Sequence, residues 1–202
     1  DMTTDNSACA TTDGVMNVWV TPTKTFSFER VKFVCGQRPF RLGAVAEGDN
    51  AGILVDSCRF VNKSPILGVP TCDIEDGPAN VRISNNYFET AASFSAGGVN
   101  QFMSINVQIK NAIIYGNHIG GSYAGGVLLE TPMCENIEVF NNLIDLSNSI
   151  ETNAIGIFVQ GANTANIHDN TIISNGSAGH SAVGLQALTD AEHTGLIQVY
   201  NN

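Results

Sequence analysis

The chain has 202 residues, of which 43% are hydrophobic but only 7% aromatic, and it carries a formal net charge of −10. All nine Lys and Arg lie at or before Lys110, so residues 111–202 have no cation to set against phosphate and a nucleic-acid partner is excluded there. The acidic balance disfavours anionic membranes, and no apolar run is long enough to insert into one.

The length fits one elongated domain over residues 1–202. A core of Val, Ile, Leu and Ala suits a narrow, row-by-row packing, and twenty Gly with many Asn suit a chain that turns often. Residues 1–16 are polar and read as an irregular lead-in, or else as part of an earlier coil. Asn17-Val18-Trp19-Val20 is the first strand, closed by Pro22. The chain opens on Asp1 and stops at Asn202 within a repeat, so it reads as a piece of a longer polypeptide.

From residue 26 onward one pattern returns. Its clearest copy is Ile137-Glu138-Val139-Phe140-Asn141-Asn142-Leu143-Ile144, with apolar residues five and three positions before Asn142 and two after it. The matching anchors are Val31, Cys58, Asn86, Asn117, Asn142, Asn170 and Asn202, whose numbers differ in turn by 27, 28, 31, 25, 28 and 32. A period in this range marks a solenoid, whose repeats bury their apolar faces only by stacking. Alternation within each copy is the period of a strand. A buried Asn must pair its amide, and a column of stacked Asn side chains does so along the axis.

A second strand family begins at Val127, Ile157 and Val183, with Val99 as the expected member one coil earlier. Longer connections are expected at 61–80, 89–104, 145–154 and 173–182. Residues 185–193 offer a turn or two of helix and no more.

These repeats resemble the right-handed parallel β-helix proteins of the pectate-lyase-like superfamily, which includes many phage tailspikes. The likeness covers roughly residues 17–202 and implies an all-β solenoid of about seven coils, one for each anchor. It also implies saccharide substrates or receptors met on the outer face. The polygalacturonase-like members carry Asn-Thr-Asp, Asp-Asp, Gly-His-Gly and Arg-Ile-Lys. Only Gly179-His180-Ser181 echoes one of these, so no catalytic roles carry over.

The outward columns hold the candidate chemistry. Two residues before the anchors lie Glu29, Asp56, Ser84, Tyr115, Phe140, His168 and Tyr200. The last four are rings, one per coil, and are the expected ligand-binding strip, with Asn141, Asp169 and Asn201 beside them. A pyranose packs its C–H face on such rings; sheet packing alone also accounts for them. One residue after the anchors come Lys32, Arg59, Tyr87, His118, Leu143 and Thr171. With Arg30 and Arg82 the first of these make a cationic cluster able to fork an anionic saccharide. Glu29 and Asp56 stand beside it, so the expectation is a surface ion-pair network.

Candidate catalytic groups are Asp73, Glu75 and Asp76, then Asp169 with His168, and His180 with Asp190, Glu192 and His193. Asp73, Glu75 and Asp76 form an acidic turn, read as solvated, with Ca²⁺ as the alternative occupant. No other cofactor or metal is expected. Five Cys preclude a complete disulfide framework within the chain, and no CxxC has zinc spacing. Cys58, at an anchor, reads as buried, while a Cys9–Cys35 bridge is left open. Asn62-Lys63-Ser64 and Asn175-Gly176-Ser177 match the glycosylation acceptor pattern.

The leading expectation is a glycan-contacting segment of an extracellular or virion-surface protein of tailspike or adhesin type. Its partner is a polysaccharide or cell-surface glycan, and a homotrimer is the assembly in view. The alternatives are a polysaccharide hydrolase or lyase of the same fold, and a structural spacer. A lyase would need Lys or Arg near the scissile uronate, which only the chain up to Lys110 supplies.

Overall fold

Alternating apolar and polar residues give a strand one face for the core and one for solvent. This computed structural model describes residues 2–6, 16–20, 25–35, 40–44, 52–62, 70–75, 80–90, 103–121, 125–131, 134–149, 153–176, 179–186 and 195–202. Within them the chain forms three seven-stranded sheets, each parallel throughout. Sheet I holds the strands before each anchor, such as Ala112–Tyr115, Ile137–Phe140, Ala165–His168 and Ile197–Tyr200. Sheet II holds those after it, such as Arg59–Asn62, Tyr87–Thr90 and Leu143–Leu146. Sheet III holds the third strand of each coil, including Cys72–Ile74, Met103–Val107, Gly125–Glu130, Ile155–Gln160 and Ser181–Gln186. Crossovers between parallel strands favour one hand, and the architecture is a right-handed parallel β-helix.

Between sheets I and II the chain turns on two residues. The first adopts a left-handed backbone at Arg30, Ser57, Asn85, Gly116, Asn141, Asp169 and Asn201, with φ between 52° and 64°. Asn, Asp and Gly tolerate that region best, which explains five of the seven identities. The second is the anchor, and it points inward. Each ladder Asn accepts on Oδ1 from the backbone N–H and, where that residue is Asn, from the side-chain amide of the anchor one coil earlier. Asn142 Oδ1 thus takes Asn117 N at 3.0 Å and Nδ2 at 2.9 Å. Cys58 joins at one end, its N–H donating to Asn86 Oδ1 at 2.8 Å and its thiol to the Phe28 carbonyl at 3.3 Å.

The core is built of columns parallel to the axis. Phe33, Phe60 and Phe88 stack with centroids 4.9 and 4.6 Å apart, and the column continues as Ile119 and Ile144. Burying each such side chain stabilises the fold by roughly 1.5–3 kcal/mol relative to exposure. Where sheets II and III meet, Gly126 and Gly156 leave room for isoleucines. A Cβ on Gly156 would lie 2.7 Å from Ile172 Cγ2 and 2.8 Å from the Ala182 carbonyl. Cys58, Cys72 and Cys134 are buried free thiols, and burial pushes Cys134 up to about 12.

Several expectations are corrected. Met2–Asn6 is a strand paired with Val31–Cys35, which replaces the irregular lead-in there by the other reading, part of an earlier coil. The partner of Val127 is Ile105, not Val99, which lies outside the described residues. The connection at 61–80 contains the strand Cys72–Ile74, too short for periodicity to reveal. Leu185 and Gln186 end a strand rather than open a helix, and 187–194 lie outside the described residues. The first acceptor triplet is closed to modification because Asn62 is buried; Ser177 of the second lies outside the described residues. So do Cys9 and the side chain of Cys35.

Candidate functional site

Register places the column read from sequence on one line. Glu29, Asp56, Ser84, Tyr115, Phe140, His168 and Tyr200 are successive neighbours on the outer face of sheet I. The rings stack face to face. Centroids are 5.1 Å apart for Tyr115 and Phe140, 5.2 Å for Phe140 and His168, and 4.9 Å for His168 and Tyr200, all within 9° of parallel. The Arg82 guanidinium covers the other face of Tyr115 at 5.4 Å. Rung spacing of about 4.8 Å suits this packing. The platform imagined from sequence is therefore altered: the ring faces cover one another and the edges look outward.

His168 is the chemical centre of the strip. Its Nδ1 lies 2.9 Å from Asp169 Oδ2 and its Nε2 3.4 Å from Glu138 Oε1. The hydrogen bond with Asp169 raises the imidazole above its ordinary value, burial opposes, and Glu138 adds to the rise. At the other end, burial raises the Asp56 carboxyl, but hydrogen bonds from Ser84, Ser57 and Asn85 and the charge of Arg82 outweigh it and hold it below its usual value.

The cationic cluster is distributed otherwise than expected. Arg59 pairs with both oxygens of Glu89, at 2.9 and 3.0 Å, rather than with Glu29 or Asp56. It also lies over Tyr87, which meets His118 edge-on at 4.7 Å. Arg82 acts on Asp56 through its charge and also serves the ring column, donating from Nε to Ser84 Oγ at 3.4 Å.

Of the catalytic candidates outside the acidic run, the described residues bring His168 and Asp169 together. His180 sits before the strand Ser181–Gln186, its Nδ1 2.7 Å from Ser174 Oγ, at another corner of the coil. Asp190, Glu192 and His193 lie outside the described residues. The acidic run at 73–76 is not a solvated turn: Asp73 belongs to a strand and is buried, accepting from Asn106 Nδ2 at 3.0 Å. Asp76 lies outside the described residues. Among those described, no three His, Cys, Asp or Glu side chains are placed to hold a metal ion.

Sequence reasoning missed what sheet III does with that run. Its outer face carries Asp73 beside Asn106, then a row comprising Glu75, Gln108, Glu130, Gln160 and Gln186. Gln108 Nε2 donates to Glu130 Oε2 at 2.9 Å, and Arg41 pairs with Glu75. The signal was the polar residue closing each strand, as in Val127-Leu128-Leu129-Glu130 and Ile157-Phe158-Val159-Gln160.

Also unforeseen is a shallow cavity of about 290 Å³ beside the ring column, lined by Asn80, Arg82, Asn111, Ile113, Asn136 and Glu138 among others. One rung beyond Glu138, the Oδ1 of Asn166 is buried with no hydrogen-bond donor.

A model of the family described as right handed beta helix region matches residues 18–202. No curated protein and no solved structure matches the chain. With the family pattern running through nearly every coil, and three parallel sheets stacked coil on coil, the chain belongs to the right-handed β-helix family.

Proposed function

We propose that this is a glycan-contacting β-helix segment of an extracellular or virion-surface protein, of tailspike or adhesin type, and that the contact runs along the outer face of sheet I. What carries the reading is the continuity of the strip. Four rings stack on consecutive rungs, with Glu138, Asp169 and Asn141 beside them. A polymer of sugar units lying along the axis meets the same kinds of group at every step of about 4.8 Å. Because the faces are stacked, the contact uses ring edges, tyrosine hydroxyls and the flanking carboxylates and amides. Exposed aromatic strips also serve as subunit interfaces, and a homotrimer joined along this face is the competing use.

The test is the double variant Tyr115→Ala, Phe140→Ala, measured for binding on a glycan array and for mass in solution. Lost binding at unchanged mass is the expected result. A fall in mass assigns the strip to oligomerisation, and no change in either leaves it as sheet packing and overturns the proposal.

A second reading, polysaccharide cleavage, has one observation in its favour: Glu75 and Glu130 share the outer face of sheet III, with Gln108 between them. Glycosidases use two carboxylates across the scissile bond. If cleavage occurs there, Glu130→Gln abolishes release of reducing ends while the sheet I double variant does not.

A further inference from the structure

The cavity beside the ring column has features that the strip alone does not. Its floor is Ile113, an outward residue left 38% exposed on a strand where Thr, Lys or Glu would keep water satisfied. Its rim includes Asn80, Asn111 and Asn136, whose φ values of 62°, 55° and 55° place them on left-handed turns between sheets III and I. Asn136 Nδ2 donates to Asn111 Oδ1 at 3.0 Å, and its backbone N–H donates to Thr164 Oγ1 at 2.7 Å, so that part of the rim is held before anything binds. Arg82 and Glu138 bring opposite charges to the same cavity.

We infer that this cavity is a subsite for one uncharged pyranose unit of a saccharide chain. The assignment rests on the proposed glycan contact of sheet I and specifies its chemistry. An apolar floor takes the C–H face of a sugar ring, while side-chain amides both donate to and accept from its hydroxyls. The volume of about 290 Å³ lies at the small end of ligand sites and suits an occupant of about one ring.

Charge selects the class. The Arg82 fork is oriented by the Tyr115 ring and by Ser84, so it presents N–H donors at a fixed angle. Glu138 faces the same space, its Oε1 also reaching His168. A sugar carboxylate gains from Arg82 but is opposed by Glu138 and by a chain of net charge −10. An uncharged ring uses both, donating to Glu138 and accepting from Arg82.

The experiment is affinity electrophoresis in gels containing dextran, glucomannan, galactan or polygalacturonate. It compares the wild-type chain with Ile113→Asn, Arg82→Gln and the Tyr115→Ala, Phe140→Ala variant. Both single sites are outward-facing, and unfolding midpoints check that the variants are folded. The expected result is retardation by at least one uncharged polymer and none by polygalacturonate, weakened about fivefold or more in each single variant. Retardation by polygalacturonate alone overturns the subsite and leaves the sheet I contact standing. So does binding that survives Ile113→Asn and Arg82→Gln but not the double variant. Absence of retardation in every gel, or retardation that no variant alters, overturns both.

Discussion

Asn142 shows how much one side chain is asked to do. Its Oδ1 receives two donors from Asn117, and its own Nδ2 reaches the Ile114 carbonyl at 3.0 Å, the Phe140 carbonyl at 3.0 Å and Asn170 Oδ1 at 2.9 Å. No aliphatic residue of similar size replaces any of these. Asn142→Leu leaves the Asn117 N–H without its acceptor inside the core and its side-chain amide with the Ile83 carbonyl alone, at roughly 1–3 kcal/mol for each stranded donor. The expected outcome is a lower denaturant midpoint with an unchanged m-value in urea unfolding. An unaltered midpoint would show that the ladder does not hold the turn. The ladder was legible from sequence because its residue type is rare in cores and recurs at one spacing. Cys58 was legible too, since a thiol at an Asn position has both the size and the weak donor the place calls for.

At the scale of the element, the ring column is a line of planar groups reaching from Arg82 to Tyr200, with His168 inside it. The imidazole is held between Phe140 and Tyr200 while Asp169 and Glu138 face its two nitrogens. No Lys or Arg lies on its own strand or on the strands either side, Ile137–Phe140 and Ile197–Tyr200. Because its folded pKa is raised, the stabilisation from protonation is fully present below the unfolded value of about 6.5 and is lost as pH rises through the folded value. The difference in melting temperature between wild type and His168→Asn should therefore be largest near pH 5.5 and narrow steadily toward pH 8.5. A constant difference would mean that only stacking is at work. The column's membership was readable from sequence, for register follows directly from the anchors. Ring orientation was not, because it depends on side-chain rotamers that neighbouring rungs impose on one another. Sheet III was the least readable part. Its strands lie between connections of variable length, and Asp73 and Asn106 are buried polar residues on an outward face, against the alternation that located the other two sheets.

For the molecule as a whole, unequal anchor steps, shortest from Asn117 to Asn142 and longest from Asn170 to Asn202, meet a constant rung height. Across these unequal steps the sheets keep their register from coil to coil. A coil is therefore a replaceable part. Removing residues 118–142 joins Asn117 to Leu143, sets Ile144 under Phe88 where Ile119 stood, and brings Asn170 to the place of Asn142. The shortened chain should keep its β-sheet circular dichroism and unfold cooperatively, at a lower midpoint. Removing residues 118–130 alone, about half a coil, should abolish cooperative unfolding, and equal tolerance of both deletions would refute the modular view. Seen this way the Asn turn acts as a universal coupling: any coil that ends in it can be followed by any other. Growth and shrinkage by whole-coil duplication or loss then leave the backbone intact, and surface columns can be lengthened, shortened or respecified one rung at a time.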